Sequence, residues 1–409
     1  MTEKALNKQV KPTTNTRLLQ DIMSRGVSDI IPRKLFEKKL KKGEKMRIYY
    51  GVDPTGPFIH LGHAIYLWKL RQLQELGHEI ILLIGDFTAR IGDPTDRSAA
   101  RIALTPQEVL ANAKTYKKQA AKILRFSGRN PVKIKYNSTW LDKLKFADVI
   151  ELSAQFTVQQ MMERDMFQKR LKEAKPIYVH EFLYPIMQGY DSVAMGVDVE
   201  MGGTDQLFNM LTGRTMLLTM KQKEKIVMTF DLLAGLDGRK MSKGFGNIIG
   251  VTDEPNDMFG KVMAMQDDLI LPYFWLCANV SKSDMEGIEY ALRKGENPRD
   301  IKLCLARKIV TLYHGLASAG AAEKEFAQVF QKKNKPTDIP THQVSQKTTS
   351  LIDLVVAVGF AGSKGEARRL IEQGGVRADN KKITDTKAMV KIKSGQILQV
   401  GKRHFVKLV

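Results

Sequence analysis

Hydrophobic positions in the first third of the chain alternate between two spacings. Short apolar runs of strand length occur at 46–52, 79–87 and 131–137, whereas 61–77 and 105–126 repeat their apolar positions at the spacing of an amphipathic helix. Strands that alternate with helices predict an α/β fold with a parallel, doubly wound sheet. Ligands bind such sheets beyond the carboxyl ends of the strands.

The pattern changes further along the chain and predicts four parts. From about residue 250 the strand spacing fades and helical segments dominate, and residues 331–350 are polar, hold two prolines and are typical of a linker. We expect an α/β domain with an N-terminal helical lead-in, a helical middle domain, a linker and a small compact terminal domain. Their predicted bounds are 1–245, 246–330, 331–349 and 350–409.

Composition narrows the class of protein. The chain has 409 residues, 43% of them hydrophobic, which is enough for two or three domains with cores of their own. The N-terminus lacks the apolar core of a signal peptide, and no run approaches the roughly 20 apolar residues that cross a bilayer. The two cysteines, Cys277 and Cys304, fit a reducing compartment, and a metal pair built on them would need further ligands. We therefore expect a cytoplasmic protein without membrane association.

Charge indicates a polyanionic partner. The chain carries 65 Lys+Arg against 44 Asp+Glu, a formal net charge of +21. A solvated surface would account for part of this excess, but phosphate contacts dominate the affinity of proteins for nucleic acids. Residues 349–409 alone carry twelve Lys+Arg against five Asp+Glu.

The stretch GVDPTGPFIHLGH, residues 51–63, joins a predicted strand to a predicted helix. The start of a helix presents unpaired N–H groups and a partial positive charge, which attract anions. His60 and His63, in or before the first turn, could add ring N–H donors to a phosphate bound there. A structural pair of histidines is one alternative. A zinc site is another, and it would need ligands that the neighbouring sequence lacks.

A second segment, GLDGRKMSKGFGN at 235–247, is rich in glycine and in cations. It does not follow the P-loop pattern. A mobile basic loop can close over a polyphosphate and stabilise charge on the leaving group, although many loops of this composition are merely solvated. Arg239, Lys240 and Lys243 are the cations of this loop.

A third segment places three polar side chains at helical spacing. Tyr184, Gln188 and Asp191 are four and three residues apart, so a helix would present them on one face. A phenol needs partners for its O–H and an ammonium group needs acceptors, and these side chains could serve both. The alternative is an ordinary amphipathic helix.

Together these motifs resemble a known family. HLGH followed by KMSKG resembles the two signatures of class I aminoacyl-tRNA synthetases. The segments that resemble bacterial tyrosyl-tRNA synthetases are YYGVDPT (49–55), GDFTARIGDPTDRSAAR (85–101), YPIMQGYD (184–191) and MGGTDQLFN (201–209). Residues 359–383 are similar to the S4-like RNA-binding module that many of these enzymes carry. The resemblance covers about 30 to 409. It implies a Rossmann-like class I catalytic domain, a helical anticodon-recognition domain at 246–330 and a small α+β, S4-like RNA-binding domain at 350–409.

The resemblance implies that L-tyrosine is activated with ATP to tyrosyl-adenylate and then transferred to the 3′ end of tRNA(Tyr). It also implies Mg²⁺ with the ATP, and a homodimer. Implied catalytic residues are His60, His63, Lys240, Lys243 and Thr55. Implied tyrosine-binding residues are Tyr49, Asp93, Tyr184, Gln188, Asp191 and Gln206. Implied ATP-binding residues are Gly51, Asp53, His60, His63, Gly202, Gly203, Asp205 and Lys243. Arg97 and Arg101 would reach pyrophosphate or the tRNA acceptor end, and no protein ligand to a metal is implied.

The sequence departs from the family's usual motifs in two places. The second signature ends in Gly244 instead of serine, from which we expect altered loop kinetics, and TDQLFN replaces the more familiar SDQWGN. Two other functions stay open: a synthetase for another amino acid, with tryptophan the nearest, and a non-catalytic RNA-binding protein with the same fold. Retention of the histidines, of both lysines and of Tyr184 and Asp191 argues against the second.

Overall fold

A computed structural model describes residues 15–94, 105–241, 245–328, 339–344, 348–379, 381–393, 395–401 and 404–409. The chain divides into two compact units. The first comprises Met1–Glu254 and Lys261–Gly315, and the second comprises Pro255–Gly260 and Leu316–Val409. The four predicted domain bounds stay a prediction. Of the predicted site residues, Arg97, Arg101 and Lys243 lie outside the described residues.

The helices are α1 (Thr16–Ser24), α2 (Arg33–Lys42), α3 (Leu61–Glu75), α4 (Thr88–Ile91), α5 (Pro106–Ala113), α6 (Tyr116–Ala120), α7 (Ser138–Leu141), α8 (Phe146–Ser153), α9 (Val158–Met162), α10 (Asp165–Lys172), α11 (Val179–Met195), α12 (Leu207–Lys221), α13 (Pro255–Ala264), α14 (Ile270–Cys277), α15 (Lys282–Arg293), α16 (Pro298–His314), α17 (Leu316–Phe326), α18 (Leu351–Ala357) and α19 (Lys364–Glu372). The strands are β1 (Val27–Ile31), β2 (Arg47–Val52), β3 (Glu79–Ile84), β4 (Lys133–Tyr136), β5 (Val199–Gly203), β6 (Ile226–Phe230), β7 (Thr341–His342), β8 (Thr348–Ser350), β9 (Val376–Ala378), β10 (Lys381–Ile383), β11 (Met389–Lys391), β12 (Ile397–Val400) and β13 (His404–Leu408). No helix in these described ranges is long and apolar enough to span a bilayer.

The first unit is built on a six-stranded sheet in the order β1-β6-β5-β2-β3-β4. Strands β2 to β6 run parallel, and β1 pairs antiparallel with β6 at one edge. Every residue of β5 and β6 is buried, as expected for parallel strands with both faces covered. The predicted α/β fold is confirmed, and β2, β3 and β4 are the three strands that the apolar runs predicted.

One predicted helix is divided in two. The capping box of Thr105 and Glu108 starts α5 at the predicted place, but 105–126 forms two short helices, α5 and α6. At the break, Thr115 Oγ1 donates to the carbonyl oxygen of Pro57 at 2.8 Å, and Asn112 Nδ2 donates to that of Pro54 at 3.0 Å. These bonds tie the segment to the turn after β2, which a local pattern does not reveal.

The second unit has an α+β terminal part with its own core. Its larger sheet has the order β10-β9-β12-β13-β7, and β11 pairs with β8. Buried side chains of α18, α19 and the strands form the core, among them Leu351, Val355, Ile371, Val376 and Leu398. All ten described lysines and arginines from 348 to 409 are exposed.

Candidate active site

Most of the predicted site residues gather at the carboxyl ends of two neighbouring strands and on one helix. Tyr49 lies in β2, and Gly51, Asp53 and Thr55 follow it at the strand's end. Gly202 and Gly203 end β5, and Asp205 and Gln206 form the short 3₁₀ turn that continues it. Tyr184, Gln188 and Asp191 all lie on α11, as their spacing predicted. This is the edge at which a parallel sheet binds its ligands.

The two histidines lie at the start of α3. His60 is the N-cap residue, and its backbone N–H donates to His63 Nδ1 at 3.4 Å. Their rings stack with centroids 3.8 Å apart. Burial lowers the pKa of His63 to about 4, so its ring is neutral at pH 7. Because Nδ1 accepts a hydrogen bond, the ring proton lies on Nε2, where it can be donated to an anion.

The two signature motifs meet in the structure. A Cβ built at Gly62 would lie 3.0 Å from the His60 ring and 3.3 Å from Met241 Sδ, so any larger residue would have to displace them slightly. The chain that follows the second motif pairs with the first, because Leu61 N–H donates to the carbonyl oxygen of Ile249 at 2.9 Å. The basic loop is therefore anchored beside the start of α3.

Lys240 precedes Met241 in this loop, and its side chain is exposed. Its Nζ lies 3.5 Å from Asp205 Oδ2. An exposed pair at this distance contributes little to stability, so Lys240 can move to another anion at small cost. Asp205 in turn follows the glycines of β5, and a Cβ at Gly203 would lie 2.4 Å from Asp205 Oδ1.

Asp53 is held by two hydroxyl groups. Thr88 Oγ1 donates to Asp53 Oδ1 at 2.7 Å, and Tyr184 donates its hydroxyl to Oδ2 at 2.8 Å. Burial raises the pKa of Asp53 to about 7, and both hydrogen bonds oppose that rise. A Cβ at Gly85 would lie 2.0 Å from Asp53 Oδ1, so this arrangement requires glycine there.

Asp191 and Tyr49 present buried polar groups on neighbouring elements. Asp191 is 3% exposed and accepts from Trp140 Nε1 at 2.7 Å and from Asn137 Nδ2 at 3.3 Å. Burial raises the pKa of Asp191 well above its usual value, against the effect of these two donors. Tyr49 shares a hydrogen bond of 3.0 Å with Ser192 Oγ, and burial raises the pKa of its phenol, so it stays protonated.

The residues assigned to an amino group form one connected network. Gln206 Nε2 donates to Asp93 Oδ2 at 2.5 Å. Asn209 Nδ2 donates to Gln188 Oε1 at 3.0 Å and to Gln206 Oε1 at 3.1 Å. Asp93 also pairs with Arg164, whose NH2 lies 3.7 Å from Oδ1. Asp93, Gln188 and Gln206 are half-buried and carry acceptor oxygens, the partners that an ammonium ion needs.

The surroundings of Gly51 and Thr55, both predicted to lie near the nucleotide, do not by themselves indicate a ligand. Gly51 is exposed at the end of β2, and a Cβ there would find only ordinary van der Waals neighbours at 3.8 Å. Packing therefore does not demand this glycine, and its close approach to a nucleotide stays a prediction. Thr55 is exposed, and its backbone N–H donates to the carbonyl oxygen of Asp53 at 2.8 Å.

Sequence reasoning missed several supporting side chains. Trp140 and Asn137 hold Asp191, and Arg164, 5% exposed, holds Asp93 while its guanidinium lies 5.3 Å from the ring of Phe208. Phe208 of the unusual TDQLFN motif thus packs against the arginine that pairs with Asp93. A buried arginine has no signal of its own in a single sequence, because an exposed one looks the same.

Comparison with protein families identifies both parts of the chain. Residues 41–331 match the sequence model described as "tRNA synthetases class I (W and Y)". Residues 329–406 match the model described as "Tyrosine–tRNA ligase SYY-like C-terminal domain". The two matches cover nearly all of the chain in the order that the motifs implied.

Curated relatives agree with the families. A tyrosine–tRNA ligase from Moorella thermoacetica is 48% identical over 393 residues, which is 95% of this chain and 94% of the relative. Another from Thermotoga maritima is 46% identical over 389 residues, covering 95% and 96%. Because the alignments cover 95% of the chain, they include both compact units and are not confined to the catalytic part.

Solved structures agree in fold. A C-terminally truncated mitochondrial tyrosyl-tRNA synthetase from Aspergillus nidulans superposes with a TM-score of 0.64 at 24% identity, covering 78% of this chain and 96% of that one. A tyrosyl-tRNA synthetase from Archaeoglobus fulgidus, complexed with L-tyrosine, gives a TM-score of 0.57 at 23% identity, covering 75% and 98%. The chain belongs to the class I aminoacyl-tRNA synthetases, in the family of tyrosine–tRNA ligases.

Proposed function

We propose that this enzyme activates L-tyrosine with ATP and transfers it to tRNA(Tyr), using the residues assembled at the carboxyl edge of the sheet. The observation that carries the proposal is the contact of the two signature motifs at Gly62, against which Met241 of the second motif lies. It puts a basic loop beside a helix start, the combination that a nucleoside triphosphate requires. The pocket of Tyr49 and Asp191 lies on the same edge.

In the first step a carboxylate oxygen of tyrosine attacks the α-phosphorus of ATP. The bond from that phosphorus to the bridging oxygen breaks, and pyrophosphate leaves with the electron pair. The carboxylate is already ionised at pH 7, so no strong general base is needed. The protein positions the two substrates and stabilises charge on the phosphates, through His60, His63, Lys240 and Lys243.

In the second step a hydroxyl of the terminal adenosine of tRNA attacks the carbonyl carbon of tyrosyl-adenylate. AMP leaves, and the tyrosyl ester forms on the tRNA. No covalent intermediate with the enzyme is required. Arg97 and Arg101 are proposed to contact pyrophosphate or the acceptor end.

Mg²⁺ is proposed to enter with ATP. Within the described ranges, no group of three or more His, Cys, Asp or Glu side chains is arranged to hold a metal ion. Mg²⁺ commonly binds through substrate phosphates and retains several waters, so a nucleotide-borne ion needs no protein cage. The ion would supply neutralisation of phosphate charge, and the roles given to the side chains do not depend on it.

Specificity for tyrosine is assigned to its phenol. Asp191 and Tyr49 would accept and orient the hydroxyl, while Tyr184, Gln188 and Asp93 would hold the α-amino group. A site built to pair a hydroxyl rejects the analogue that lacks it, since buried polar groups are then left unpaired. Tyrosine–tRNA ligases are themselves the known example of this effect, with about 10⁵-fold rejection of phenylalanine.

The terminal part of the second unit is proposed to bind tRNA. Its exposed cations include Lys364, Arg368 and Arg369 on α19 and Arg377 on β9. Exposed cations in such numbers favour a phosphate backbone as ligand. We further propose that the enzyme acts in the cytoplasm.

A homodimer is proposed as the working form. Large apolar side chains are exposed on one stretch of the first unit, with Phe146 80%, Val158 68% and Val179 78% exposed. Apolar exposure of this kind is typical of a protein interface. Sedimentation velocity should give a dimer, and Val179→Asp should shift it towards the monomer; a monomer at all concentrations would contradict the proposal.

ATP–pyrophosphate exchange with each amino acid in turn tests the function. Exchange with tyrosine alone is the expected result. Exchange with tryptophan instead would retain the class of enzyme and overturn the pocket assignment. Absence of exchange with every amino acid would refute the proposed activity.

A further inference from the structure

A fully buried ion pair lies behind the proposed amino-group subsite. Lys225, just before β6, has a side chain that is 0% exposed, and that of Glu200 in β5 is 2% exposed. Lys225 Nζ donates to Glu200 Oε2 and, at 2.9 Å, to Ser192 Oγ. Burial of two charges is costly unless each is paired and hydrogen-bonded. Neither charge has a role in the chemistry proposed above.

Close packing of two helices leaves just enough space for this pair. A Cβ built at Gly213 on α12 would lie 2.6 Å from Lys225 Nζ, and one at Gly189 on α11 would lie 2.6 Å from Met216 Sδ. The glycines let α11 and α12 approach each other with the ammonium group between them and the sheet. The position of the lysine is therefore built into the packing.

Glu200 makes one direct hydrogen bond to a residue of the proposed amino-group subsite, through Oε1. Its other oxygen accepts from Ser192 Oγ at 3.4 Å, and Ser192 in turn bonds to Tyr49. Gln188 Nε2 donates to Glu200 Oε1 at 3.0 Å. An ionised carboxylate can only accept hydrogen bonds, so it selects the amide nitrogen of Gln188 and turns the amide oxygen away. On that other side Asn209 Nδ2 donates to Gln188 Oε1 at 3.0 Å. A carbonyl oxygen has two lone pairs, so one is left for a further donor.

We propose that Glu200, paired with Lys225, is a positioning residue that turns the acceptor oxygen of Gln188 towards the α-ammonium group of tyrosine. The inference rests on the proposed function, because it takes Gln188 as a ligand of that group. An ammonium ion has only donors, so an amide presented with its nitrogen forward would repel it. A neutral residue at 200 offers both a donor and an acceptor and no longer selects one orientation of Gln188.

The test variant is Glu200→Gln combined with Lys225→Met. It removes both charges at nearly constant volume, which proteins tolerate far better than an unpaired buried charge. Tyrosine binding should weaken about tenfold, the effect of losing one hydrogen bond to a charged group. Binding of 3-(4-hydroxyphenyl)propionate, which keeps the phenol and the carboxylate but has no amino group, should weaken clearly less, because the pair reaches the phenol side only through Ser192 and Tyr49. Equal weakening for both compounds, or none for tyrosine, would overturn the inference.

A double-mutant cycle separates positioning from a general structural effect. In a Gln188→Ala background the Glu200→Gln/Lys225→Met change should weaken tyrosine binding clearly less than it does in the wild type, since the side chain through which it mainly acts is gone. Additive losses would show that the pair acts by another route and would refute the proposal.

The matched control lies two residues earlier on the same two segments. Lys223 Nζ pairs with Asp198 Oδ1 at 2.9 Å, and Lys223→Met with Asp198→Asn should leave tyrosine affinity unchanged. Tyrosine-dependent exchange by the unaltered protein is measured first. If that exchange is absent, the proposed function fails together with this inference. If it is present and the losses in the cycle are additive, only this inference fails.

Discussion

Tyr184 donates its hydroxyl hydrogen to Asp53 Oδ2 at 2.8 Å. The bond joins α11, which carries the residues assigned to tyrosine, to the turn after β2, which carries residues assigned to ATP. Because Thr88 donates to the other oxygen, Asp53 has two donors that oppose the effect of burial on its pKa. A substitution among the residues assigned to tyrosine should therefore also affect the residues assigned to ATP.

Tyr184→Phe should move the pH dependence of activation. Asp53 has a pKa of about 7 with both donors in place, and the bond from Tyr184 lowers that pKa. Loss of the bond raises it, so Asp53 takes up its proton at a higher pH. If catalysis needs the carboxylate, activity is present above the pKa and lost below it. The acid limb of kcat/KM for ATP, which reports groups of the free enzyme, should shift to higher pH.

Tyr116→Phe is the control for this shift. This substitution also removes a buried hydroxyl, but one that donates to the carbonyl oxygen of Gly56 at 2.7 Å, so the hydrogen bonds of Asp53 stay intact. The acid limb of kcat/KM for ATP should therefore lie at the same pH in Tyr116→Phe as in the wild type. Identical profiles for the wild type and Tyr184→Phe would contradict the role of Asp53.

Asp191→Asn should reduce the preference for tyrosine over phenylalanine. A buried hydroxyl left without a good partner costs about 1–3 kcal/mol, so kcat/KM for tyrosine should fall about five- to a hundredfold. Phenylalanine has no hydroxyl to lose and should be little affected. Asp86→Asn is the control, since Asp86 accepts from Ser138 N–H and Oγ instead. An undiminished preference would place the phenol elsewhere.

Lys243→Ala should slow adenylate formation by roughly 10²–10³, by analogy with the removal of one donor from an oxyanion hole. Tyrosine affinity should change little, because the lysine is assigned to phosphate. Arg239→Ala is the matched control in the same loop: Arg239 pairs with Asp237 and lies 4.2 Å from the Phe245 ring. Single-turnover measurements compare the two, and equal rates would remove the special role of Lys243.

Truncation after residue 340 should separate activation from charging. Adenylate formation should persist, since the signature motifs and α11 lie in the first unit. tRNA charging should weaken, and the salt dependence of tRNA binding should flatten as exposed cations are lost. The measurement is tRNA affinity at several salt concentrations for both lengths of chain. Charging at the same rate by both would refute the role of the terminal part.

Stability below neutral pH should depend on His78. Its side chain is fully buried, its Nδ1 accepts from Met46 N–H at 3.2 Å, and burial lowers its pKa to about 4. The unfolded chain takes up a proton near pH 6.5 and the folded chain only near pH 4, so the free energy of unfolding falls as the pH drops between those values. The loss amounts to about 3 kcal/mol. Urea unfolding of His78→Gln, which can still accept from Met46, should lack this part of the pH dependence; an identical dependence in both would contradict it.

Local patterns determined the elements that carry the site. The strands β2, β3 and β4, the start of α3 at His60 and the common face of Tyr184, Gln188 and Asp191 all follow from spacings of two to four residues. Such spacings record hydrogen bonds and burial between near neighbours in the chain, which physical chemistry makes regular. The motifs also implied the family, since their order and residue types are specific.

Only the tertiary structure determined which side chains bond to one another. Asp53 and Tyr184 are 131 positions apart, and Trp140 and Asp191 are 51 apart. Lys225, just before β6, bonds to Glu200 in the neighbouring strand β5. These pairs exist because the sheet has the order β1-β6-β5-β2-β3-β4, which brings distant segments to one edge. A carboxylate or a lysine looks the same in a sequence whether water or a single buried partner satisfies it. Burial then sets the protonation states of Asp53 and His63, and burial is a property of the folded chain.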